Sequence, residues 1–519
     1  MSAISFSKLK FLFVQPEWDR RYVAAFPTYE PLHGLLLGGL IQDIADTYIF
    51  DRRFDTDENF IKILQEFKPD MVGSSSHTGG EIPNIKRLFG LAKKECPQTV
   101  TIVGGQHPTL LPEDFFHPHV DLICIGPGEE TFREVALSVL DRQDFTKVSG
   151  LAVRSGVKYV ITPPRIVKSG VMTWPKFDRS LILDKYKKNY GFVFEFRNNI
   201  YTITTSGCPH RCSFCSLWAA ARGTFRYRRP EEVVEDIISQ PQTYVHLTDD
   251  NTFYNEDNAM EIYRLLKKHH VKKKILAYAR TDTIVNKTHL LERWKEIGLG
   301  ALVVGMEAVT DSHLAVLNKR SSVDINVQAQ KVLDRLGIEN WAHFVIMPEF
   351  QKADFDAIWD FVNRHHITYP VFVAYTPVPG TPLFFEAKHE GKLASYDYAY
   401  YNLQYMVMRT ALPKREWYQH YWGLYEKTAS TGTLLRRMLQ SPTFHWRPAL
   451  GRAYIMGRRA PSRIWKFIDE QVEMEETLRY EDIEHTLLPS LRRDYVPNNY
   501  YNAATLAAMN ENAANRKTS

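Results

Sequence analysis

Two successive series of short apolar segments alternate with helical stretches along this chain, and this alternation constrains the fold more than any other feature. The first series occupies about the first 140 residues. Its near-continuous apolar strands, separated by helices, predict a parallel, doubly wound sheet. We expect strands at 10–16, 47–51, 70–76, 99–105 and 121–126, and helices at 32–45, 57–67, 81–95 and 129–141. The pattern therefore predicts an α/β protein with an N-terminal Rossmann-like domain over 1–145.

The second series has six strand–helix units, which favours a partial (β/α)6 barrel over 199–390 rather than a full eight-fold barrel. Its connection to the first domain, 146–198, has weaker signals and contains one predicted hairpin. Sheets and barrels of this kind bind ligands at the carboxyl ends of their strands. The barrel strands are expected at 199–207, 243–250, 274–280, 300–307, 341–348 and 371–379, with helices that include 230–239, 256–269, 287–297 and 324–336.

Cysteine usage indicates a reducing compartment and a metal site. The chain has 519 residues, 44% of them apolar, and only five cysteines, so a disulfide framework is not expected. Three of the five lie within eight residues of each other. The N-terminus lacks an apolar run long enough for a signal peptide, and no segment is long and apolar enough to span a bilayer. We therefore expect a cytoplasmic protein.

The segment TTSGCPHRCSFCSLW, residues 204–218, carries the clearest chemical signal. Cys208, Cys212 and Cys215 have the spacing C-x3-C-x2-C directly after a predicted strand. Soft thiolates in a compact loop suit an iron–sulfur cluster, and three of them leave the fourth iron of a cubane open to a substrate or cofactor. The alternative is a structural zinc site with His210 as the fourth ligand, although that histidine lies inside the loop, where the geometry is awkward.

These cysteines, together with Phe214, resemble the CxxxCxΦC signature of the radical S-adenosylmethionine (SAM) superfamily. The resemblance implies that the three cysteines are the catalytic metal ligands of a [4Fe–4S] cluster whose open iron binds SAM. It also implies SAM contacts after the later strands, although Met347 stands where the family usually has a glycine. The residues that match these contacts are Phe214, Asp249, Asp250, Arg280, Glu307 and Tyr375.

The first domain resembles the cobalamin-binding domain of one radical SAM subgroup, through its GG-x-H-x-T and G-x-GE motifs. The D-x-H-x-x-G motif that supplies a cobalt ligand in other cobalamin domains is missing, and neither His33, His77 nor His107 lies in that context. The subgroup usually holds the corrin without a histidine ligand, so cobalamin remains compatible. The resemblance implies cobalamin contacts from Ser75, His77, Thr78, Gly105, Gln106, His107, Gly126, Gly128 and Glu129.

Structural roles are the alternative for several of these residues. Glycines at strand ends are often turn formers, and Asp249, Asp250 and Arg280 could form ion pairs at a barrel rim. Histidines in loops are more often hydrogen-bonded than ligating. Cys96 and Cys124 are most simply a helix-end thiol and a buried strand residue.

The resemblance implies a cobalamin-dependent radical methyltransferase, in which a radical formed from SAM activates a carbon that then receives the methyl group of methylcobalamin. An oxidative cyclase or rearrangement enzyme of the tetrapyrrole type is the alternative. A methylthiotransferase and a non-enzymatic cobalamin sensor fit less well. The expected partners are a small-molecule or lipid-like substrate and an electron donor such as flavodoxin or ferredoxin, but no nucleic acid.

The C-terminal region, 391–496, is predicted to be helical, basic and aromatic. Between Met408 and Lys466 there are twelve Lys or Arg against two acids. Segments 434–440 and 453–467 mix apolar and basic residues as interfacial helices do, so peripheral membrane contact through 408–467 is one hypothesis and a packed helical cap is the other. The tail, 497–519, is expected to be disordered.

Overall fold

The computed structural model describes residues 8–17, 28–191, 199–433, 435, 461–477 and 480–495. Its first sheet has seven strands in the order β2-β1-β3-β4-β5-β6-β7. The first five pair in parallel, and β6 and β7 extend the sheet as an antiparallel hairpin. The strands are β1 (Leu9–Gln15), β2 (Ala45–Asp51), β3 (Met71–Ser75), β4 (Val100–Gly104), β5 (Leu122–Cys124), β6 (Leu151–Ser155) and β7 (Lys158–Ile161).

The helices of this first domain bury their apolar faces against the sheet, as expected for a doubly wound fold. The predicted α/β class is confirmed. The first helix ends at Leu40, earlier than predicted, because Ala45 already pairs with Leu9 as the start of β2. The helices are α1 (Leu32–Leu40), α2 (Asp57–Phe67), α3 (Ile82–Glu95), α4 (Gln106–Leu110) and α5 (Glu129–Leu140), with 3-10 turns at Pro112–Phe115 and Phe145–Lys147.

The connection between the domains forms the predicted hairpin, β6 and β7, but this hairpin belongs to the first sheet. The chain then forms a small three-stranded sheet beside the barrel, in the order β10-β11-β8. Its elements and their neighbours are β8 (Gly170–Met172), a 3-10 turn (Arg179–Leu181), α6 (Asp184–Lys187), β9 (Ile200–Thr202), β10 (Thr205–Ser206), α7 (Leu217–Ala220) and β11 (Arg226–Arg228).

The predicted six-stranded partial barrel is confirmed. All its strands are parallel, in the order β16-β15-β14-β13-β12-β9. The remaining strands are β12 (Tyr244–Leu247), β13 (Lys274–Arg280), β14 (Leu299–Glu307), β15 (Glu339–Ile346) and β16 (Tyr369–Ala374). The barrel helices are α8 (Pro230–Ile238), α9 (Glu256–Lys268), α10 (Thr281–Asn286), α11 (Thr288–Glu296), α12 (Asp311–Val316), α13 (Val323–Leu336) and α14 (Lys352–Arg364).

After the barrel the described residues are mostly helical. Trp417 and Tyr421 are buried, and their polar atoms donate to the carbonyls of Met347 and Phe372, both at 3.0 Å. This part of the chain is therefore a packed helical cap on the barrel. The elements are α15 (Pro382–His389), α16 (Lys414–Ala429), α17 (Pro461–Thr477) and α18 (Tyr480–Ile483), with 3-10 turns at Tyr398–Tyr400, Glu484–Thr486 and Pro489–Leu491.

Most of the two predicted interfacial segments, 434–440 and 453–467, lies outside the described residues. The predicted disordered tail, 497–519, lies entirely outside them. Within the described parts of the chain, no helix has the length and apolarity needed to cross a membrane.

The two domains share one continuous apolar core, which includes Val14 and Val72 of the first sheet and Leu302 of the barrel. A buried ion network adds to this contact. Arg179 pairs with Glu30 at 3.0 Å and with Asp236 at 2.7 Å, joining the first domain, the connection and α8. The carboxyl ends of both sets of strands are thereby held in a fixed arrangement.

Candidate active site

The cysteine loop lies between β10 and α7, and its start is fixed by Gly207. This glycine has φ = 84°, and a Cβ at this position would lie 2.2 Å from the carbonyl oxygen of Thr224, so only glycine fits. Its backbone N–H donates to a carboxylate oxygen of Asp250 at 2.6 Å. The end of β12 therefore holds the loop just before Cys208.

The middle of the loop is held from the opposite side. The N–H of Ser213 donates to the carbonyl of Leu317 at 3.2 Å, and the Asn318 side chain donates to the carbonyl of Arg211 at 2.7 Å. The indole N–H of Trp218 donates to the carbonyl of Cys212 at 3.0 Å. These bonds fix the backbone from which the thiols project.

Three thiols on one short loop match the ligands of an iron–sulfur cluster. Burial raises the pKa of Cys208 and of Cys215, and a bound metal would favour their thiolate forms. Within the described residues, no three His, Cys, Asp or Glu side chains stand close enough together to hold one ion. A cubane binds each thiolate through a different iron and accepts more widely spaced ligands. His210, the fourth ligand of the zinc alternative, instead has its ring centre 6.0 Å from that of Tyr254.

A cavity of about 270 Å³ opens at the carboxyl ends of the barrel strands. Five residues predicted from the resemblance line it together, although they come from five separate segments of the chain. They are Phe214, Asp250, Arg280, Glu307 and Tyr375. The structure adds residues that the motifs did not indicate: Tyr278, Lys319, His343 and Leu403.

Arg280 connects this cavity to the cysteine loop. One guanidinium nitrogen lies 3.9 Å from the sulfur of Cys212, and another donates to the carbonyl of Lys319 at 2.8 Å. Asp282 pairs with the same guanidinium at 3.1 Å. The cation is thus held in one orientation beside the thiols.

Glu307 and Lys319 form a buried ion pair at 2.7 Å on the cavity wall. Glu307 adopts φ = 64°, a left-handed conformation that is unusual for a residue other than glycine. A Cβ on Gly305 would lie 2.2 Å from a Glu307 carboxylate oxygen, so the glycine leaves room for the pair. Unusual backbone conformations of this kind concentrate at ligand-binding sites.

The two adjacent aspartates occupy different positions. Asp249 is buried, and its carboxylate accepts from the N–H groups of Thr204 and Thr205 at 2.6 and 3.0 Å, so it holds the β9–β10 segment in place. Asp250 lines the cavity, and burial raises its pKa to about 6. Asp249 thus holds the backbone next to the site, while Asp250 lies on the cavity wall.

The loops after β3, β4 and β5 in the first domain form a cradle that faces the barrel. Gly105, with φ = 106°, lies so close to the next loop that a Cβ would meet the carbonyl of Ser76 at 2.5 Å. Gly126, with φ = 94°, is open, because a Cβ there would meet only the guanidinium of Arg222, at 3.8 Å and beyond. Glycine backbones beside open space can contact a flat ligand closely, which fits a corrin. The neighbouring predicted contacts Ser75, Thr78 and Gly128 lie on the same loops.

Glu129, Trp174 and Arg226 close one side of this cradle. The Glu129 carboxylate accepts from the Trp174 indole and from the Arg226 guanidinium, both at 3.1 Å. His33 interacts electrostatically with Glu129, and desolvation by the protein around the ring lowers the pKa of His33 to about 4.

His107 lies apart from the open space of the cradle. Its ring is buried, Nε2 lies 2.8 Å from a carboxylate oxygen of Asp114, and the ring contacts that of Tyr398 with centroids 5.2 Å apart. Asp114 also accepts from the backbone N–H of Ser490 at 3.0 Å and from its hydroxyl. This cluster attaches the C-terminal segment to the first domain, a role that the motif did not predict.

The family models identify both domains. The model of the B12-binding domain matches residues 33–136, and that of the Radical SAM superfamily matches residues 202–362. The chain belongs to the B12-binding radical SAM enzymes. As an enzyme of this family it uses a [4Fe–4S] cluster, SAM and cobalamin, and the cysteine loop, the cavity and the cradle provide fitting surroundings for the three.

Two similar proteins align with about three quarters of this radical SAM enzyme. Hopanoid C-3 methylase from Methylococcus capsulatus is 25% identical over 401 residues, which cover 76% of each chain. The anaerobic magnesium-protoporphyrin IX monomethyl ester cyclase from Rubrivivax gelatinosus is 24% identical and covers 77% of this chain and 74% of its own length.

Solved structures share the fold. The methyltransferase TsrM from Kitasatospora setae superposes with a TM-score of 0.65 at 15% identity, over 89% of this chain and 99% of its own. The cobalamin-dependent SAM radical enzyme OxsB superposes with a TM-score of 0.66 at 14% identity, over 98% of this chain and 80% of its own.

Proposed function

We propose that this enzyme methylates a carbon atom of a substrate that binds in the barrel cavity. The observation that carries the proposal is the position of Arg280, which lines the cavity and also lies 3.9 Å from the sulfur of Cys212. A molecule held by Arg280 is therefore held beside the cluster loop. Relatives named as methyltransferases, including the hopanoid methylase, support methyl transfer as the outcome.

The charges of the cavity suit SAM, which is an amino acid with an additional positive charge on its sulfur. Arg280 offers a cation to a carboxylate, and Asp250 offers a carboxylate to an ammonium group, both on the cavity wall. Glu307 and Lys319 add a paired anion and cation further along the same wall. When bound, the cluster and SAM supply a carbon-centred radical, and methylcobalamin supplies the methyl group.

The predicted first-domain contacts would hold cobalamin against the open side of the barrel. Glycine loops give close backbone approach, and Glu129 fixes Trp174 and Arg226 at the side of the cradle. Gln106 would tie this cradle to the cysteine loop through its hydrogen bond to Ser216. These residues orient and shield the reacting groups, and the cofactors carry out the bond cleavage.

The cavity walls favour a substrate that is at least partly apolar. Val303, Val345, Val373 and Leu403 line the cavity, with His343 among them as a polar group. Apolar walls with a few polar groups are usual in sites that bind hydrophobic molecules. We therefore propose a substrate with an unactivated carbon carried on an apolar skeleton.

Anaerobic turnover with isotopically labelled SAM tests the proposed function. Cell extract of the source organism supplies candidate substrates, and mass spectrometry follows the label. Methylation predicts a product heavier than its substrate by one labelled methyl group in place of hydrogen. Cys212→Ala should abolish both this product and 5′-deoxyadenosine, because two thiolates cannot hold the cubane, whereas Cys96→Ala should retain both. Product formation by Cys212→Ala would contradict the proposal.

Oxidative cyclisation is the second candidate, because several relatives are named as cyclases of magnesium-protoporphyrin IX monomethyl ester. The same experiment separates the two functions. A cyclase produces 5′-deoxyadenosine but transfers no label to its product.

The proposed partners are a reductant, such as flavodoxin or ferredoxin, and a small-molecule or lipid-like substrate. Contact with a membrane surface through 408–467 would give access to a lipid-soluble substrate. Because the aromatic side chains Trp417, Tyr421 and Trp422 are buried against the barrel, this contact would have to use other residues of the segment. Sedimentation with anionic vesicles tests the contact, and the absence of salt-sensitive binding would exclude it.

A further inference from the structure

Two exposed apolar side chains border the cysteine loop. Val316 is 57% exposed and Tyr254 is 42% exposed. Val316 ends α12, and its carbonyl accepts a hydrogen bond from the hydroxyl of Ser213 at 3.2 Å. Tyr254 lies in the segment after β12, and its ring centre lies 6.0 Å from that of His210. Tyr254 therefore borders the first half of the loop, and Val316 borders the second half.

Two exposed arginines belong to the same surface. Arg211 lies in the loop itself, between the two contacts just described. Arg320 directly follows the residue whose carbonyl accepts from Arg280 at 2.8 Å, beside the thiols. The side chain of Asn318 donates to the carbonyl of Arg211 at 2.7 Å, so the segment 316–320 runs along the loop. The two guanidinium groups thus give this surface positive charge.

The nearby carboxylates leave this positive charge in place. Asp282 pairs with the buried guanidinium of Arg280 at 3.1 Å. The side chain of Asp311, at the start of α12, accepts from the backbone N–H of Val323 at 2.8 Å. Within the residues that the structure describes, no carboxylate forms an ion pair with Arg320. A cationic, partly apolar surface therefore covers the loop that carries the thiols.

Exposed apolar groups with charged neighbours mark sites of protein contact, and redox partners form small, electrostatically guided interfaces. We propose that Arg211, Tyr254, Val316 and Arg320, here called the loop face, dock an acidic flavodoxin that supplies electrons to the cluster. A flavodoxin exposes the apolar dimethylbenzene edge of its flavin within an acidic surface. It thereby offers an apolar contact to Val316 and Tyr254 and negative charge to the arginines. A ferredoxin offers the negative charge but no flavin edge.

The transfer at the loop face balances as a single electron. The anionic hydroquinone of the flavin is oxidised to the neutral semiquinone, and the oxidised cluster is reduced by one electron. No covalent bond breaks and no proton is released. The inference rests on the cluster that the family uses, and it holds whether the enzyme methylates or cyclises.

Reduction by purified flavodoxin hydroquinone tests the loop face. Full-length protein that carries its oxidised cluster and cob(II)alamin is mixed anaerobically with excess hydroquinone, without substrate. Freeze-quench electron paramagnetic resonance then follows the signal of the reduced cubane. Arg320→Glu and Val316→Glu should each slow this reduction roughly five- to twentyfold at low salt, because charge complementarity acts mainly on the association rate. Added salt should slow the wild type and bring it closer to the variants.

Matched variants and a small reductant separate docking from damage to the loop. Arg264→Glu, on the exposed face of α9, and Val157→Glu, at a fully exposed turn, should be reduced at the wild-type rate. Dithionite should give the same final cubane signal in every variant, because it needs no docking surface. If Arg320→Glu does not assemble its cluster, Arg320→Gln removes the charge alone and should still be reduced more slowly than the wild type.

Three results would overturn the proposal. The first is reduction of Arg320→Glu, or of Arg320→Gln in its place, and of Val316→Glu at the wild-type rate. The second is equal slowing in Arg264→Glu or Val157→Glu, which would show that the loop face has no special role. The third is a parallel measurement with a reduced bacterial ferredoxin in which the loop-face variants slow the ferredoxin reaction and leave the flavodoxin reaction unchanged.

Discussion

The side chain of Gln106, the first residue of α4 in the cobalamin domain, donates a hydrogen bond to the hydroxyl of Ser216, the residue that follows Cys215. This bond joins two motifs that are 110 residues apart in the sequence. It places the loop that is proposed to face cobalamin directly against the loop that is proposed to hold the cluster. The relative position of the two cofactors therefore depends in part on this contact.

Gln106→Ala should separate radical formation from methyl transfer. We expect cluster content and 5′-deoxyadenosine formation close to wild type, with the methylated product reduced roughly ten- to hundredfold, because small misplacements of reacting groups have effects of this size. Quantifying both products in one anaerobic reaction measures this ratio. Gln143→Ala, at an exposed glutamine, is the matched control. A proportional loss of both products would contradict a role in alignment.

Arg280→Lys should weaken SAM binding without loss of the cluster. Lysine keeps the charge but cannot contact Asp282, the Lys319 carbonyl and a carboxylate ligand at the same time. The loss of a charge-assisted hydrogen bond of about 1.5–3 kcal/mol predicts a dissociation constant roughly 10- to 150-fold higher. Equilibrium binding of SAM to the reconstituted protein measures this change, and iron analysis checks the cluster. Arg264→Lys, on the exposed face of α9, should bind normally. Unchanged binding in Arg280→Lys would argue against this contact.

Glu307→Gln should destabilise the fold by about 3–5 kcal/mol, because it leaves the buried Lys319 ammonium without its counter-ion. Adding Lys319→Met should restore most of this loss while SAM binding stays weak. Chemical denaturation of the single and double variants measures both effects. The exposed pair Lys267–Glu296 provides the comparison, because solvent screens it and Glu296→Gln should change stability far less than Glu307→Gln. Equal effects at the two sites would show that the Glu307 pair contributes little to stability.

Asp114→Ala should release the C-terminal segment from the cobalamin domain. The variant removes the acceptor for Ser490 and the partner of His107, at a cost of about 3 kcal/mol for the buried network. Limited proteolysis should then cut within 487–495 well before the barrel is cleaved. Asp144→Ala, at an exposed cap, should leave the digestion pattern unchanged. Protection equal to wild type in Asp114→Ala would contradict the role assigned to this cluster.

The strands of both domains could be predicted from sequence because they are apolar runs bounded by glycine, proline or polar residues, and such signals are local. The sequence did not predict that the first sheet has seven strands. The strand β6 joins this sheet by pairing with β5, and a long helix separates the two strands in the sequence. Pairing of this kind depends on which sheet edge is free in three dimensions. The same limit applies to the end of α1, which is set by the pairing of Ala45 with Leu9.

Some residues of the site could be predicted from the sequence, and others could not. The cysteines, Asp250, Arg280 and Glu307 could be located because they resemble the family's motifs, which fall at the ends of predicted strands or directly after them. Lys319 could not, because it follows α12 rather than a strand, and its contacts with Glu307 and Arg280 are between residues far apart in the sequence. Asp249 and Asp250 were indistinguishable in sequence, and their roles separate only through the hydrogen bonds that each accepts.

An iron of the cluster that is open to SAM should bind the amino group of SAM, and electron–nuclear double resonance on the reduced protein detects this bond. The sample is anaerobically reconstituted, reduced with dithionite and mixed with SAM that carries ¹⁵N in its amino group. We predict the signal of a reduced cubane with a ¹⁵N coupling that Cys212→Ala abolishes. A protein with no cubane signal, or with a cubane that shows no coupling to the labelled nitrogen, would contradict the presence of an iron that is open to SAM.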